Sequence, residues 1–143
     1  YYKNHEATSS AIDEDGWLHT GDLGIIDSEG YLFIKGRSKN MILGPSGQNI
    51  YPEEIEDRLN ALPYVSESLV IEKDGKLIAL VYPDYEVVKK EKISPEQLKT
   101  KMDENRKLLN HMLPMYSQVA RLKIQETEFE KTPKRSIKRY LYQ

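Results

Sequence analysis

The chain has 143 residues, which is enough for one ordinary domain, or a small domain with part of a neighbour, and too few for a multi-site enzyme. With 38% hydrophobic and 31% charged residues it is typical of a globular protein, and no apolar stretch approaches the roughly 20 residues of a membrane span. The net charge of -2 argues against a broad nucleic-acid surface, and the absence of cysteine excludes thiol chemistry and favours a cytoplasmic location. Five of the nine residues from Lys131 to Arg139 are basic, which indicates a local anion site.

The first residues contain neither an initiating Met nor a signal layout, so we expect that residues upstream were removed. Short apolar stretches then alternate with turn residues, and we predict strands at Trp17-Leu18, Leu23 to Ile26 and Tyr31 to Ile34. Residues 1–36 are therefore predicted to form a β meander. A meander of so few strands buries little apolar surface, so we expect it to belong to a larger domain.

After Pro52 the apolar period changes from two to about 3.6, which predicts a short amphipathic helix. The Asp74-Gly75 turn between two apolar runs predicts a hairpin. A second helix begins at Ser94 with a capping box and ends at Pro114. A strand from Val119 to Ile124 and a short terminal helix from about Ser136 complete the pattern.

The pattern predicts a compact α+β unit of about 100 residues, with a short antiparallel sheet and two to three helices, beginning near Arg37. The segment Gly36 to Asn40 precedes it, at the place where a linker is expected. Taken alone, this short charged segment would favour an ordinary loop between sheets over a linker.

Three motifs occur in a fixed order, and together they are highly specific: Gly16-Trp17-Leu18-His19-Thr20-Gly21-Asp22-Leu23-Gly24, Gly30-Tyr31-Leu32-Phe33-Ile34-Lys35-Gly36-Arg37-Ser38-Lys39 and Ser46-Gly47-Gln48-Asn49-Ile50-Tyr51-Pro52-Glu53-Glu54-Ile55-Glu56. The chain resembles the C-terminal portion of the adenylate-forming superfamily, which includes acyl-CoA synthetases, luciferases and the adenylation domains of peptide synthetases. It looks closest to bacterial long-chain fatty acid CoA ligases. The resemblance runs over essentially the whole chain.

The resemblance implies a division into three parts. Residues 1–36 would be the C-terminal fringe of the large N-terminal adenylation domain, 37–40 the hinge and 41–143 the C-terminal lid domain. The parent enzyme would use ATP, Mg²⁺ and coenzyme A to form a fatty acyl adenylate and then an acyl-CoA thioester, and its lid would rotate between the two steps. We expect this chain alone to be inactive, because the family's phosphate loop and acyl pocket lie upstream. Its first partner would be its own N-terminal domain.

The resemblance also assigns residues. Asp22 matches the aspartate that hydrogen-bonds the ribose hydroxyls of ATP, and Arg37 matches an arginine that contacts the nucleotide. Lys39 stands at the pivot of the hinge, and Gly47 matches the glycine that lines the pantetheine channel. The alternatives are ordinary turn chemistry for Asp22 and Gly47 and a solvated surface side chain for Arg37. His19 is assigned no role.

The sequence departs from the family near its end, where the family pattern Pro-Lys-Thr-x-x-Gly-Lys-Ile-x-Arg places a catalytic lysine. Anchoring on Lys131-Thr132, Ile137 and Arg139 puts Ser136 at that position. A hydroxyl carries no positive charge, so adenylation is impaired or a neighbouring lysine, Lys134 or Lys138, substitutes. An extended backbone up to Ser136 would favour Lys134. The alternative is a solvated basic tail without a catalytic member.

The sequence is also compatible with two other functions. One is an adenylation domain that passes its acyl group to a carrier protein, and the other is a degenerate lid kept for protein contact, which Ser136 suggests. The exposed strand edges of a truncated meander also predict self-association of the chain through residues 1–36.

Overall fold

The computed structural model describes all 143 residues, and the chain forms two compact units, Tyr1–Met41 and Ile42–Gln143. The first unit consists of helix α1 (His5–Ala11), strands β1 (Asp22–Ile26) and β2 (Leu32–Arg37), and a 3-10 turn at Ser38–Asn40. The two strands pair in an antiparallel hairpin. Its turn is held by Asp27, whose Oδ1 accepts hydrogen bonds of 2.9 Å from the backbone N–H groups of Glu29 and Tyr31.

The predicted meander is only partly present. The strands at 22–26 and 32–37 confirm two of its members, whereas Trp17-Leu18 contributes no strand and only an isolated bridge joins Ile12 to Leu18. The prediction is wrong for His5–Ala11, which is helical. Asn4 stabilises the start of this helix, because its Oδ1 accepts the N–H of Ala7 at 2.9 Å and caps the N-terminus.

The second unit is the α+β domain that the sequence predicts. Its elements, in chain order, are β3 (Ile42–Leu43), β4 (Asn49–Ile50), α2 (Pro52–Asn60), β5 (Val65–Lys73), β6 (Lys76–Pro83), α3 (Tyr85–Lys90), α4 (Pro95–Met112) and β7 (Val119–Ile124), with 3-10 turns at Met115–Ser117 and Arg139–Leu141. The three α-helices fall within the predicted two to three. Helix α3 was not predicted, and the expected terminal helix from Ser136 is wrong, since only the 3-10 turn forms there.

A three-stranded sheet in the order β5-β6-β7 is the framework of this unit. Strands β5 and β6 form the predicted antiparallel hairpin, while β7 lies parallel to β6, so the sheet is mixed. A parallel neighbour requires a crossover connection, and α3 and α4 supply it. The predicted capping box of α4 is confirmed, because Ser94 Oγ accepts the N–H of Gln97 and Gln97 Oε1 accepts that of Ser94.

The core lies on the face of the sheet that α2 and α4 cover. Its fully buried side chains include Ile55 and Leu59 of α2, Met102 and Leu109 of α4, and Val81 of β6. A smaller cluster covers the opposite face, where the C-terminal segment adds Phe129 to Leu69, Ile71 and Leu80. No helix of the structure combines the length and the apolar character that crossing a bilayer would require.

Candidate functional site

Asp22 and Arg37, the two predicted nucleotide contacts, lie side by side in the first unit. They are cross-strand partners at the open end of the β1–β2 hairpin, and Arg37 Nη1 lies 2.6 Å from Asp22 Oδ1. Thr20 fixes both residues: its carbonyl accepts from Arg37 Nη1 at 3.0 Å, and its Oγ1 accepts the N–H of Asp22 at 3.1 Å. The two positions, 15 residues apart in the chain, therefore form one polar group.

The electrostatics of this pair favour an ionised carboxylate. The hydrogen bond from Arg37 is the largest cause that holds the pKa of Asp22 below its ordinary value, so Asp22 is an anion at neutral pH. Both side chains remain partly open to solvent, with relative exposures of 59% for Arg37 and 38% for Asp22. An exposed carboxylate accepts hydrogen bonds from neighbouring hydroxyls, and the guanidinium donates to oxygen anions.

An open cleft of about 550 Å³ adjoins this pair within the first unit. Its lining includes His19, Thr20, Gly21, Arg37 and Lys39. His19 Nε2 lies 2.8 Å from Asp13 Oδ2, which ties the imidazole to the wall of the cleft. The cleft is therefore rich in hydrogen-bonding groups and cations, as a site for a polar, anionic ligand would be.

Lys39, the predicted pivot, lies in the 3-10 turn Ser38–Asn40. Its side chain is exposed and forms no ion pair, so a change of its backbone angles would break no salt bridge. The residue stands two positions before Met41, where the first unit ends. Its function as a hinge stays a prediction.

Gly47 lies in the turn that joins β3 to β4, where its N–H donates to the carbonyl of Gly44 at 2.9 Å. Its φ of +82° is in the region that favours glycine, and a Cβ built there would meet no atom within 4 Å. The backbone alone thus accounts for the glycine. A contact of Gly47 with pantetheine stays a prediction, and the open space beside its Cα is compatible with one.

The basic segment near the C-terminus forms a tight hairpin. Lys131 and Ile137 form an antiparallel bridge, Thr132 N–H donates to the Ser136 carbonyl at 2.8 Å, and Arg135 N–H donates to the Thr132 carbonyl at 2.8 Å. The expectation of an extended backbone up to Ser136 is wrong for this reason. Arg135 makes the turn possible by adopting a φ of +62°.

The hairpin separates the two candidate lysines. Lys138 lies two residues beyond Ser136 and on the same face, but its Nζ is 3.1 Å from Glu130 Oε2, and this hydrogen bond raises the pKa of Lys138. Lys134 lies at the exposed tip of the turn and forms no ion pair or hydrogen bond. Ser136 is itself exposed. Of the two candidate lysines, Lys134 is therefore free, whereas Lys138 is held within the hairpin.

Arg139 anchors the hairpin to the body of the second unit. Its guanidinium pairs with the buried carboxylate of Glu56 in α2, and its Nη1 donates to the Val70 carbonyl at 3.4 Å. Glu56 Oε1 in turn accepts the Val70 N–H at 2.6 Å. No local pattern indicates this ion pair, because Glu56 and Arg139 lie 83 residues apart in the chain; from the sequence, Arg139 serves only to align the motif.

Comparison with known proteins identifies relatives of much of this chain. The family model described as the AMP-binding enzyme C-terminal domain matches residues 39–142. A putative acyl-CoA synthetase of Bacillus subtilis, YngI, is 38% identical over 117 residues, which cover 81% of this chain and 21% of that protein. The long-chain-fatty-acid CoA ligase FadD13 of Mycobacterium tuberculosis is 48% identical over 85 residues, covering 57% of this chain and 16% of FadD13.

A solved structure resembles nearly the whole chain. The fatty acyl-CoA synthetase of Mycobacterium tuberculosis superposes with a TM-score of 0.53 at 34% identity, and the match covers 99% of this chain and 26% of that structure. The chain thus spans about a fifth of YngI, a sixth of FadD13 and a quarter of the solved structure.

Proposed function

We propose that this chain is the lid and hinge of an ATP-dependent fatty acid CoA ligase, because it belongs to the family of AMP-binding enzyme C-terminal domains. The proposed substrate class is long-chain fatty acids. The observation that carries the nucleotide part of this proposal is the Asp22–Arg37 pair beside an open polar cleft. The sequence identity to fatty acid CoA ligases supports the acyl part.

In this proposal Asp22 accepts hydrogen bonds from the ribose hydroxyls of ATP, and Arg37 holds Asp22 in its ionised state while donating to nucleotide oxygens. ATP supplies the adenylyl group that activates the carboxylic acid. Lys39 changes its backbone angles as residues 41–143 move relative to residues 1–36, and Gly47 borders the path of the coenzyme A thiol. Mg²⁺ would be bound together with the phosphates of ATP, as is usual for this ion in nucleotide-dependent enzymes.

Ser136 stands where the family pattern has its catalytic lysine, and in this proposal Lys134 takes over the function of that lysine. Two observations support the choice: Lys134 has no internal partner, and it stands at the exposed tip of a hairpin that Arg139 fixes to the domain. Lys138 would first have to leave Glu130. A positive charge at the tip can stabilise the negative charge that develops on the acyl and phosphate oxygens during adenylation.

A chimera tests the function directly. In the fatty acyl-CoA synthetase of Mycobacterium tuberculosis, the region that matches this chain would be replaced by residues 1–143. We expect the chimera to release pyrophosphate from ATP in the presence of a long-chain fatty acid and to form acyl-CoA, while the 143-residue chain alone does neither. Lys134→Ala should slow pyrophosphate release on the order of 10²-fold.

Three further variants give the chimera its controls. Lys90→Ala removes an exposed lysine of α3 and should leave the rate unchanged. Lys138→Ala tests the second candidate, and Ser136→Lys restores the family pattern. If a folded chimera is inactive and only Ser136→Lys activates it, the chain is a degenerate lid and the proposal fails. Pyrophosphate release without acyl-CoA formation would instead favour transfer to a carrier protein.

A further inference from the structure

Each outer edge of the β5-β6-β7 sheet is closed by side chains at one residue. At the β5 edge, Glu56 accepts the Val70 N–H and Arg139 donates to the Val70 carbonyl. At the start of β7, Asn110 closes the edge in the same way: its Oδ1 accepts the Val119 N–H at 2.8 Å and its Nδ2 donates to the Val119 carbonyl at 3.0 Å. Beyond Val119, β7 pairs only with β6, so residues 120–124 leave an unpaired strand edge.

A groove runs along each side of this open edge. On the side of α4, a groove of about 640 Å³ is lined mainly by apolar side chains, among them Val88, Leu98, Leu122 and Ile124. On the opposite side, a groove of about 1010 Å³ extends over the other face of the sheet. An added strand would therefore find space for side chains on both of its faces, which alternate along its length.

The second groove is bordered by four cations that have no ion pair or hydrogen bond. Arg121 and Lys123 of β7 pair in register with Ile78 and Leu80 and so share the sheet face of the smaller cluster. The cross-strand partners Lys73 and Lys76 lie on that face as well. All four side chains are exposed.

Two acidic residues, Glu72 and Asp74, also line this groove and offset part of the four positive charges. Glu72 lies on the opposite face of β5, where its Oε1 accepts the Gly75 N–H at 2.6 Å, and Asp74 belongs to the turn. The groove on the face of Arg121 and Lys123 thus holds four cations against two acidic side chains, and the groove beside α4 is mainly apolar.

We propose that the free edge of β7 docks an extended segment of a partner protein in which acidic and apolar residues alternate. The segment adds as a fourth strand and hydrogen-bonds the open backbone of residues 120–124. Its acidic side chains face Arg121 and Lys123, and its apolar side chains enter the groove beside α4. A second copy of this chain fits less well, because pairing two β7 strands would bring the Arg121 and Lys123 side chains of both copies together.

A peptide titration tests this site on the chain itself. The probe is a ten-residue peptide of alternating Glu and Val with blocked ends, and the matched control replaces every Glu by Lys. We expect the Glu peptide to shift the backbone amide NMR signals of residues 120–124, and its affinity to fall with added salt. The Lys peptide should cause no such shifts.

Variants of the chain and of the peptide separate charge from strand addition. The double change Arg121→Glu and Lys123→Glu should weaken binding on the order of tenfold, whereas Lys89→Glu with Lys90→Glu, the same charge change on exposed residues of α3, should not. N-methylation of the Glu peptide on one edge should abolish binding, and methylation on the other should be tolerated. Circular dichroism establishes that each variant is folded.

Several results would overturn the proposal. Equal binding of the two peptides would show that charge does not select the segment. Equal loss of binding on methylation of either peptide edge would exclude strand addition. NMR shifts confined to the β1–β2 hairpin would exclude this edge as the binding site. The absence of any shift at about 1 mM peptide, a concentration that detects weak complexes, would exclude it as well. Shifts of residues 120–124 that follow chain concentration without peptide would assign the edge to a second copy.

Discussion

At the scale of single residues, Arg135 shows that a turn can survive without its usual amino acid. The family pattern has glycine at this position, and the φ of +62° explains why, since a side chain in this region is unfavourable by roughly 1–2 kcal/mol. The hairpin still closes, because Thr132 accepts the N–H of Arg135 through its carbonyl and that of Ser136 through its Oγ1.

Arg135→Gly should therefore stabilise the chain by about 0.5–1 kcal/mol, once the greater freedom of glycine in the unfolded chain is subtracted. Urea unfolding followed by circular dichroism measures the change. Arg135→Ala removes the charge but keeps the backbone cost, so it should give no such gain. Lys134→Gly changes a position without a positive φ and should not stabilise the chain.

Local side-chain chemistry decides which structural features can be predicted from the sequence. The side chains that cap the two predicted features, Ser94 for α4 and Asp27 for the first hairpin, were identifiable because their chemistry is local. The turn at Arg135 was not, since an arginine gives no turn signal and the segment was expected to be extended. The Glu56–Arg139 pair was missed because its two residues meet only in the folded chain.

At the scale of elements, the C-terminal hairpin depends on this buried ion pair. Glu56 is 8% exposed, and burial is the largest cause that raises its pKa above the ordinary value. Arg139 and the Val70 N–H oppose this shift by stabilising the carboxylate. The charge on Glu56 is thus tolerated at neutral pH because of the hairpin that carries the candidate lysine.

Arg139→Met should destabilise the chain by about 2–4 kcal/mol at pH 7, because it leaves the Glu56 carboxylate buried without its cation. The pKa of Glu56, already raised, should rise further. An acid whose pKa is raised in the folded state favours folding at pH values below its unfolded pKa, and this contribution is lost as the pH rises through its folded pKa. The destabilisation caused by Arg139→Met should therefore shrink on acidification. Urea midpoints at several pH values measure it.

Two controls accompany this variant. Arg121→Met removes an exposed arginine without an ion pair and should be nearly neutral. Adding Glu56→Gln to Arg139→Met should recover part of the stability, because the amide carries no charge. A defect of equal size at every pH would mean that lost packing, and not the uncompensated carboxylate, is its cause.

The elements that the sequence predicted share a strong apolar pattern, and those it missed lack one. Helix α4 presents Leu98, Met102 and Leu109 to the core, whereas none of the residues in α1 is buried. Helix α3 has one buried residue, Val88, so its sequence shows no helical repeat of apolar residues. The parallel placement of β7 depends on the long crossover, and a local pattern carries no information about it.

At the scale of the whole molecule, the two units differ in whether they have a core. The second unit buries a continuous cluster between its sheet and two helices, but no residue of Tyr1–Met41 is buried. The β1–β2 hairpin exposes large apolar side chains on both faces, with Ile26, Leu32 and Ile34 on one face and Ile25 and Phe33 on the other. A two-stranded hairpin is at best marginally stable in water unless another surface covers it.

The exposed hairpin should therefore make the chain self-associate at high concentration, with an average mass above the 16.6 kDa of one copy in static light scattering. Ile26→Lys with Leu32→Lys changes a cross-strand pair of the hairpin and should shift the mass towards one copy, because two lysines face each other where apolar contact is needed. Leu108→Lys, an exposed leucine of α4, is the matched control and should leave the association unchanged. A single-copy mass for the unchanged chain at millimolar concentration would contradict the prediction. Association that only Leu108→Lys abolishes would place the contact in the second unit instead, where the hairpin has no part in it.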